Sequence, residues 1–280
     1  MNQKTLYVSD LDGTLMRNNE TLSAYTVRTV NELVARGLSF TYATARSVES
    51  ARKITGDLRL SLPVVTRNGA VLADNSNGEH IEKAVFSCNE ILLLKKLLPE
   101  LPWCGFVSCF MGKKMIRTAL PGIHTAALQG YLDYYRYDPT MVYVEDFEGL
   151  FSGEPGYITV VGEKEEIEPY YNRIRAYSCW ESLFQKDTYR DEYWLEICPE
   201  NCTKAKTLLK IKEKYGFDRL VVFGDSQNDL TMFRIADEAY AVANAREELK
   251  RAATEIIGSN EEDAVADYLK SHGILSMQEV

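Results

Sequence analysis

The sequence predicts an α/β protein: a doubly wound, parallel-sheet core of Rossmann type, interrupted by an inserted α+β domain. Short apolar runs alternate with amphipathic stretches toward both ends of the chain, the middle has a different texture, and two of the apolar runs finish in clustered carboxylates.

At the first end, Thr5 to Ser9 reads as a buried strand that stops at an acid, Asp10. Ser23 to Arg36 carries Val27, Val30, Leu33 and Val34 at helical spacing, with Ser23 as N-cap and Gly37 as the stop. Leu38 to Ala43 is a second strand, Ser47 to Thr55 a second helix and Pro63 to Thr66 a third strand. Strands alternating with helices at these lengths call for βαβ units and a parallel sheet.

The pattern returns near residue 195. Thr203 to Tyr215 is an amphipathic helix closed by Gly216, Arg219 to Phe223 a strand, Asn228 to Ala236 a helix, and Tyr240 to Ala243 a short strand. Asn260 opens a last helix through Ala264, Val265, Tyr268 and Leu269. Residues 1–82 and 194–280 are therefore expected to form one domain, with residues 83–193 inserted into it. Asn77-Gly78, a hairpin-type turn, lies just before the insertion. Of the 17 tyrosines, 11 fall between Tyr131 and Tyr193, and Trp103, Trp180 and Trp194 lie in or beside the insertion. An aromatic core or strand face explains that texture more simply than a ligand cleft.

Composition narrows the function classes. With 32 Lys+Arg against 41 Asp+Glu, the net charge of −9 repels phosphate backbones and argues against a general nucleic-acid binder. An apolar share of 45% and aromatics at 11% argue against disorder. The stretch after Met1 has no long apolar core of the secretory kind, and Ile91 to Leu98 is broken by Lys95 and Lys96, so no membrane partner is expected. The 6 cysteines form no CxxC pair and read as reduced thilols of a cytoplasmic protein. Nothing in the composition bears on oligomeric state.

The chemistry sits in the acids. Asp10 and Asp12 lie two apart where a strand runs out, initially on one face, and Gly13 lets the chain turn. Alone, this could be a solvated Asp-Gly turn. A second apolar run, Val221-Val222-Phe223, ends in Gly224-Asp225, with Asn228 and Asp229 across the next turn. Parallel topology brings both strand ends to the same sheet edge, where open α/β sheets bind ligands. Carboxylates crowded there would repel unless a cation lay among them, and oxygen-only ligands with a phosphate nearby suit Mg²⁺.

These residues resemble the haloacid dehalogenase (HAD) superfamily of phosphohydrolases, in its Cof-like branch with a large α/β cap. Asp10-Leu11-Asp12-Gly13-Thr14 matches the first motif, and Ala43-Thr44-Ala45-Arg46 the second. Asn68-Gly69-Ala70 matches a further segment of the branch, while Leu195 to Pro199 followed by Thr203-Lys204 fits the third motif. Gly224 to Asp229 is the fourth, and Val242 to Ala245 and Ser259 to Ala266 are also similar. The match covers both ends in order.

The resemblance implies roles. Asp10 would attack phosphorus to give an aspartyl-phosphate, and Asp12 would protonate the leaving oxygen and then activate water. Asp10, the Asp12 backbone carbonyl and Asp225 would hold Mg²⁺, with Asp229 and Asn228 completing or orienting the shell. Thr44 and Lys204 would bind the transferring phosphoryl group, helped by backbone N–H groups near Asp12 and Ala45. Arg46 would bind substrate phosphate or pair with an acid, and Asn68, in the same phosphate-binding set, would orient its neighbours. In isolation Thr44 could cap the helix near Ser47, and Lys204 could be a solvated helix lysine; the motif order favours the ligand roles. Two departures stand out. Ala45 replaces the usual Gly, and Asn201-Cys202-Thr203-Lys204-Ala205 replaces Gly-Val-Ser-Lys-Gly, but neither change removes a reacting group. The expected function is a Mg²⁺-dependent phosphatase acting on a small phosphorylated metabolite such as a sugar phosphate, with substrate selection by the cap. The alternatives are phosphosugar mutase-type transfer and a non-catalytic phosphate-ligand binder; dehalogenation has no need of Asp12 or the metal-binding acids.

Overall fold

A computed structural model describes residues 3–122 and 125–273. The described residues divide into two compact units, one running up to Glu82 and resuming at Thr203, the other covering Lys83–Cys202.

The first unit opens with β1 (Thr5–Ser9), α1 (Ala24–Ala35), β2 (Ser39–Tyr42), α2 (Val48–Thr55), β3 (Val64–Thr66), β4 (Val71–Ala73) and β5 (His80–Lys83). The second contains α3 (Cys88–Leu97), β6 (Gly105–Met111), β7 (Lys114–Ala119), α4 (Ala126–Tyr134), β8 (Met141–Tyr143), β9 (Glu154–Gly162), α5 (Lys164–Ile174), β10 (Trp180–Lys186) and β11 (Tyr193–Pro199). The first unit then resumes with α6 (Lys204–Tyr215), β12 (Arg219–Gly224), α7 (Leu230–Phe233), β13 (Glu238–Ala241), α8 (Glu247–Ala252), β14 (Glu255–Ile256) and α9 (Ala264–His272).

The central sheet of the first unit has the order β14-β13-β12-β1-β2, and every adjacent pair is parallel. Its middle strands are buried on both faces: Leu6, Val8, Leu220 and Val222 on one, Tyr7 and Val221 on the other. Ser9 stands opposite both Phe223 and Tyr42, so the carboxyl ends of β1, β12 and β2 are level. The Asp10 N–H continues the ladder, donating to the Phe223 carbonyl at 2.9 Å. Helix starts are set by short polar side chains. Ser23, Ser47 and Thr203 accept from the N–H groups of Thr26, Ser50 and Lys206, and so begin α1, α2 and α6.

Four details differ from the sequence expectation. The strand at Pro63–Thr66 exists as β3, but it meets the parallel sheet only through a bridge from Ala43 to Val65 and otherwise pairs antiparallel with β4. The chain doubles back there because Arg67 and Asn68 both take left-handed backbone, making β3-β4-β5 a small sheet of its own. The helix expected over Asn228–Ala236 is a 3₁₀ turn at Gln227–Asp229 followed by the short α7. Asp229 causes this by folding its carboxylate back onto the preceding N–H groups. The strand expected at Tyr240–Ala243 lies earlier, at Glu238–Ala241. The last helix begins with a separate 3₁₀ turn, Asn260–Glu262, before the left-handed Asp263.

The return to the first unit is also later than position 194. β11 is hydrogen-bonded between β10 and β9 in the second unit's sheet, ordered β10-β11-β9-β6-β7-β8, and the return falls at Thr203. An apolar strand pattern such as Leu195-Glu196-Ile197 does not say which sheet it will join.

The second unit has its own core. Phe106, Val107, Ile158, Val160, Leu195 and Ile197 pack with Leu94 of α3 and with Ile167 and Ile174 of α5. Tyr131 stacks on Phe106 at 4.8 Å between centroids, Tyr171 stacks on Phe184 at 5.2 Å, and Tyr157 and Tyr170 are buried. The tyrosine-rich texture is thus only partly core: Tyr131 and Tyr171 are half-buried, while Tyr134, Tyr137, Tyr143 and Tyr177 are exposed. Asn77-Gly78 does form a turn, between β4 and β5: Gly78 has φ +78° and donates to the Asp74 carbonyl at 2.8 Å. Among the described residues no helix is long and apolar enough to cross a membrane.

Gly216 ends α6 in the left-handed region at φ 66°, and an added Cβ there would meet no neighbour. Gly216→Ala should therefore cost only backbone strain, about 1 kcal/mol. Urea denaturation checks this as a lower midpoint at unchanged slope.

Candidate active site

The level strand ends of β1 and β12 bring Asp10 and Asp225 together, and the turn after β12 adds Asp229. One carboxylate oxygen from each of these buried acids lies within 4.8 Å of the others. Gly224 makes the approach possible, since a Cβ there would stand 2.7 Å from the Asp229 side chain.

Asp229 is wholly buried and splits its two oxygens. Its Oδ2 accepts from the Asp225 and Ser226 N–H groups at 2.9 and 3.0 Å, which fixes the turn. Its Oδ1 accepts from Lys204 Nζ at 2.7 Å. The same ammonium donates to Asp10 Oδ1 at 2.5 Å. Lys204 opens α6 directly after its Thr203 cap, and its side chain is 1% exposed. It is not a solvated helix lysine.

This burial has electrostatic consequences. Burial raises the Asp10 carboxyl well above its ordinary range; Lys204 opposes the rise, and Asp229, Asp225 and Asp12 add to it. Burial, then the neighbouring Asp229, pushes Asp225 up to about 8 even though Thr14 Oγ1 donates to it at 3.0 Å. Burial pulls the Lys204 ammonium down, but Asp10 and Asp229 more than offset this and hold it charged. Three carboxylates thus face one ammonium in a low-dielectric setting, more acid than the lysine can neutralise once all three are ionised. That surplus, presented by oxygen ligands alone, fits a hard divalent cation.

The other acid of the first motif is oriented differently. Asp12 lies on a turn with Gly13 at φ 71°, and its carboxylate is gripped by Arg46. Arg46 Nε donates to both Asp12 oxygens at 3.0 and 2.9 Å, and Nη2 donates to Oδ1 at 2.6 Å and to Glu20 at 2.8 Å. Burial would lower the guanidinium, but the bonds to Asp12 and Glu20 outweigh it and keep Arg46 charged. Of the two roles sequence left open for Arg46, pairing with an acid is the one observed.

Thr44 is fully buried at the end of β2; its Oγ1 accepts from the Arg46 N–H at 3.1 Å and its carbonyl accepts from the Asn68 N–H at 3.0 Å. It does not cap α2, because Ser47 does. Ala45 is half-buried between Thr44 and Arg46. Asn228 stands outside the acid trio: its Oδ1 accepts from Ser226 Oγ at 2.7 Å and its Nδ2 donates to Asn68 Oδ1 at 3.1 Å. Of the expected metal ligands, the side chains of Asp10, Asp225 and Asp229 converge, while those of Asp12 and Asn228 are engaged elsewhere.

Sequence reasoning passed over several supports. Thr14 holds Asp225, and Glu20 shares Arg46. Asn244 Nδ2 donates to the Gly13 carbonyl at 2.7 Å and so braces the turn that carries Asp12. Asn260 continues the brace, its N–H on Asn244 Oδ1 at 3.0 Å and its Nδ2 on the Met16 carbonyl at 2.9 Å. A lone polar residue inside Ala241-Val242-Ala243-Asn244-Ala245 was the available signal for Asn244.

The family profile described as haloacid dehalogenase-like hydrolase matches residues 7–269. The chain belongs to the haloacid dehalogenase-like hydrolase family. Within it, the chain is similar to two Bacillus subtilis (strain 168) proteins, each named 5-amino-6-(5-phospho-D-ribitylamino)uracil phosphatase. YitU is 28% identical, with 95% of this chain and 97% of that protein covered. YwtE is 25% identical, with 93% and 95% covered. A solved haloacid dehalogenase-like hydrolase from B. subtilis superposes with a TM-score of 0.75 at 19% identity, covering 95% of this chain and 99% of that one. Its family and its relatives named as phosphatases make the chain an HAD-type phosphatase.

Two substitutions test the charge balance in chelator-treated protein. Lys204→Met should destabilise the fold by about 3 kcal/mol, because it leaves buried carboxylates uncompensated. Asp225→Asn should instead stabilise it by at least about 1 kcal/mol near neutral pH, because folding then no longer protonates a carboxyl that is ionised in the unfolded chain, while an acceptor for Thr14 is kept. Equilibrium unfolding in the presence of EDTA reads both; a Lys204→Met protein as stable as the parent would contradict the balance.

Proposed function

We propose that the protein is a Mg²⁺-dependent phosphatase that hydrolyses a small phosphorylated metabolite through an aspartyl-phosphate on Asp10. The observation that carries this reading is the buried constellation of Asp10, Lys204, Asp225 and Asp229, with Asp12 two residues from Asp10. Asp10, Asp225 and Asp229 would hold the cation with help from the Asp12 carbonyl. When bound, the cation would neutralise charge on the carboxylates and on the transferring phosphate.

The chain's own groups supply the rest. An Asp10 carboxylate oxygen attacks phosphorus, forming the Asp10–phosphorus bond as the ester oxygen leaves with its electron pair. Asp12, once protonated, gives its proton to that oxygen; as carboxylate it then takes a proton from the water that attacks the aspartyl-phosphate. Lys204, already against Asp10, would pair with a phosphoryl oxygen, and Thr44 and the backbone around Ala45 would donate to the others. Such positioned charge answers the extreme slowness of spontaneous phosphate-monoester hydrolysis.

The second unit, Lys83–Cys202, would choose the substrate. The two B. subtilis relatives are named for a ribityl phosphate, so phosphorylated sugars and sugar alcohols head the panel for this chain. A cytoplasmic setting accords with six free cysteines.

Phosphate release from an ester panel with Mg²⁺ tests the proposal. Asp10→Asn should lower kcat by at least about 10³-fold, since it removes the nucleophile. Undiminished turnover would remove Asp10 from that role. Conversion of a sugar phosphate to its isomer without inorganic phosphate would favour mutase transfer instead.

A further inference from the structure

Asn68 lies outside the acid trio, yet hydrogen bonds tie its segment to Thr44, Arg46, Thr207 of α6 and Asn228. Its N–H donates to the Thr44 carbonyl at 3.0 Å, and the Arg67 N–H donates to the Arg46 carbonyl at 2.9 Å. Gly69 lies so close to α6 that a Cβ would come within 2.4 Å of the Thr203 carbonyl oxygen, and its own carbonyl accepts from Thr207 Oγ1 at 2.8 Å. These contacts anchor Asn68 between the second motif and the helix that carries Lys204.

From that anchor its side chain meets Asn228, next to Asp229 in sequence. Asn68 Oδ1 accepts from Asn228 Nδ2, while Asn228 Oδ1 accepts from Ser226 Oγ. Both ends of the Asn228 carboxamide are thereby committed, so its orientation is set. Ser226 in turn gives its N–H to Asp229 Oδ2, beside the N–H of Asp225. The backbone at Asn68 is left-handed, φ 51° and ψ 24°, a conformation that Asn, Asp and Gly accept more readily than other residues.

We propose that Asn68 is a positioning residue for the cation site: its carboxamide oxygen, acting through Asn228 and Ser226, holds the Asp225–Asp229 turn in ligand geometry. The inference rests on the reading that these acids hold Mg²⁺. It separates two duties of Asn68, a backbone duty that Gly performs equally well and an acceptor duty that Asp performs but Gly does not.

Calorimetric titration of the chelator-stripped, full-length protein with Mg²⁺ distinguishes them, using the parent, Asn68→Ala, Asn68→Gly and Asn68→Asp. Partners that orient metal ligands typically contribute at least tenfold in affinity, so Asn68→Ala and Asn68→Gly should each weaken Mg²⁺ binding about tenfold. Asn68→Asp should bind as the parent does. The Mg²⁺ concentration that gives half-maximal phosphate release should rise about tenfold in Asn68→Gly and stay parent-like in Asn68→Asp. Parent-like Mg²⁺ affinity in Asn68→Gly would reduce Asn68 to a turn residue and overturn the proposal, as would an Asn68→Asp protein as weak as Asn68→Gly. This pair keeps the test decisive even if Asn68→Ala fails to fold. Absence of Mg²⁺ uptake by the parent itself would bring down the metal reading as well, an outcome distinct from a defect confined to the variants.

Discussion

One buried ammonium group governs the architecture of the site. Lys204 sits between Asp10 and Asp229 with almost no solvent contact, and a charge so placed is tolerable only when paired and hydrogen-bonded. The pairing demands that three separate segments arrive at one point: the end of β1, the first turn of α6 and the turn after β12. Parallel pairing of β1 with β12 delivers the first and third. The Thr203 cap starts α6 one residue before Lys204, so the lysine leaves the helix at its first turn.

The compensation is deliberately incomplete. Asp225 lies beside Asp229 with the Thr14 hydroxyl as a donor, and burial holds its carboxyl toward neutrality. A structural ion-pair network would balance its charges; this one keeps a deficit that a divalent cation removes. The Arg46–Asp12 pair differs in being partly exposed, with the guanidinium shared with Glu20. Glycines set the tolerances: Gly224 admits Asp229 against the strand end, and Gly69 admits the Asn68 segment against Thr203. Asn244 and Asn260 then hold the turn after β1 from the far end of the chain.

Much of this was legible in order along the chain. The strands ending at Asp10 and Gly224, the Ser23 cap, and the acids Asp10, Asp225 and Asp229 all follow from local patterns. What misled was local too. Val64–Thr66 is apolar enough for the parallel sheet, yet the left-handed pair Arg67-Asn68 turns it into a hairpin. Leu195-Glu196-Ile197 has the texture of a core strand but pairs with β9 and β10. Asn228 reads as a ligand by position, while its carboxamide is spent on Ser226 and Asn68.

The sequence by itself determined the class of core, the identity of the charged groups and their order, because strand periodicity, helix caps and acid–glycine spacing are properties of neighbouring residues. Only the tertiary structure decided which sheet each strand joined, that Lys204 is shared by two carboxylates, that Arg46 grips Asp12, and that Asn68 reaches Asn228. These are contacts between residues far apart along the chain. Their partners are chosen by packing and by the cost of leaving buried charge unpaired, and neither quantity is written in any local stretch of residues.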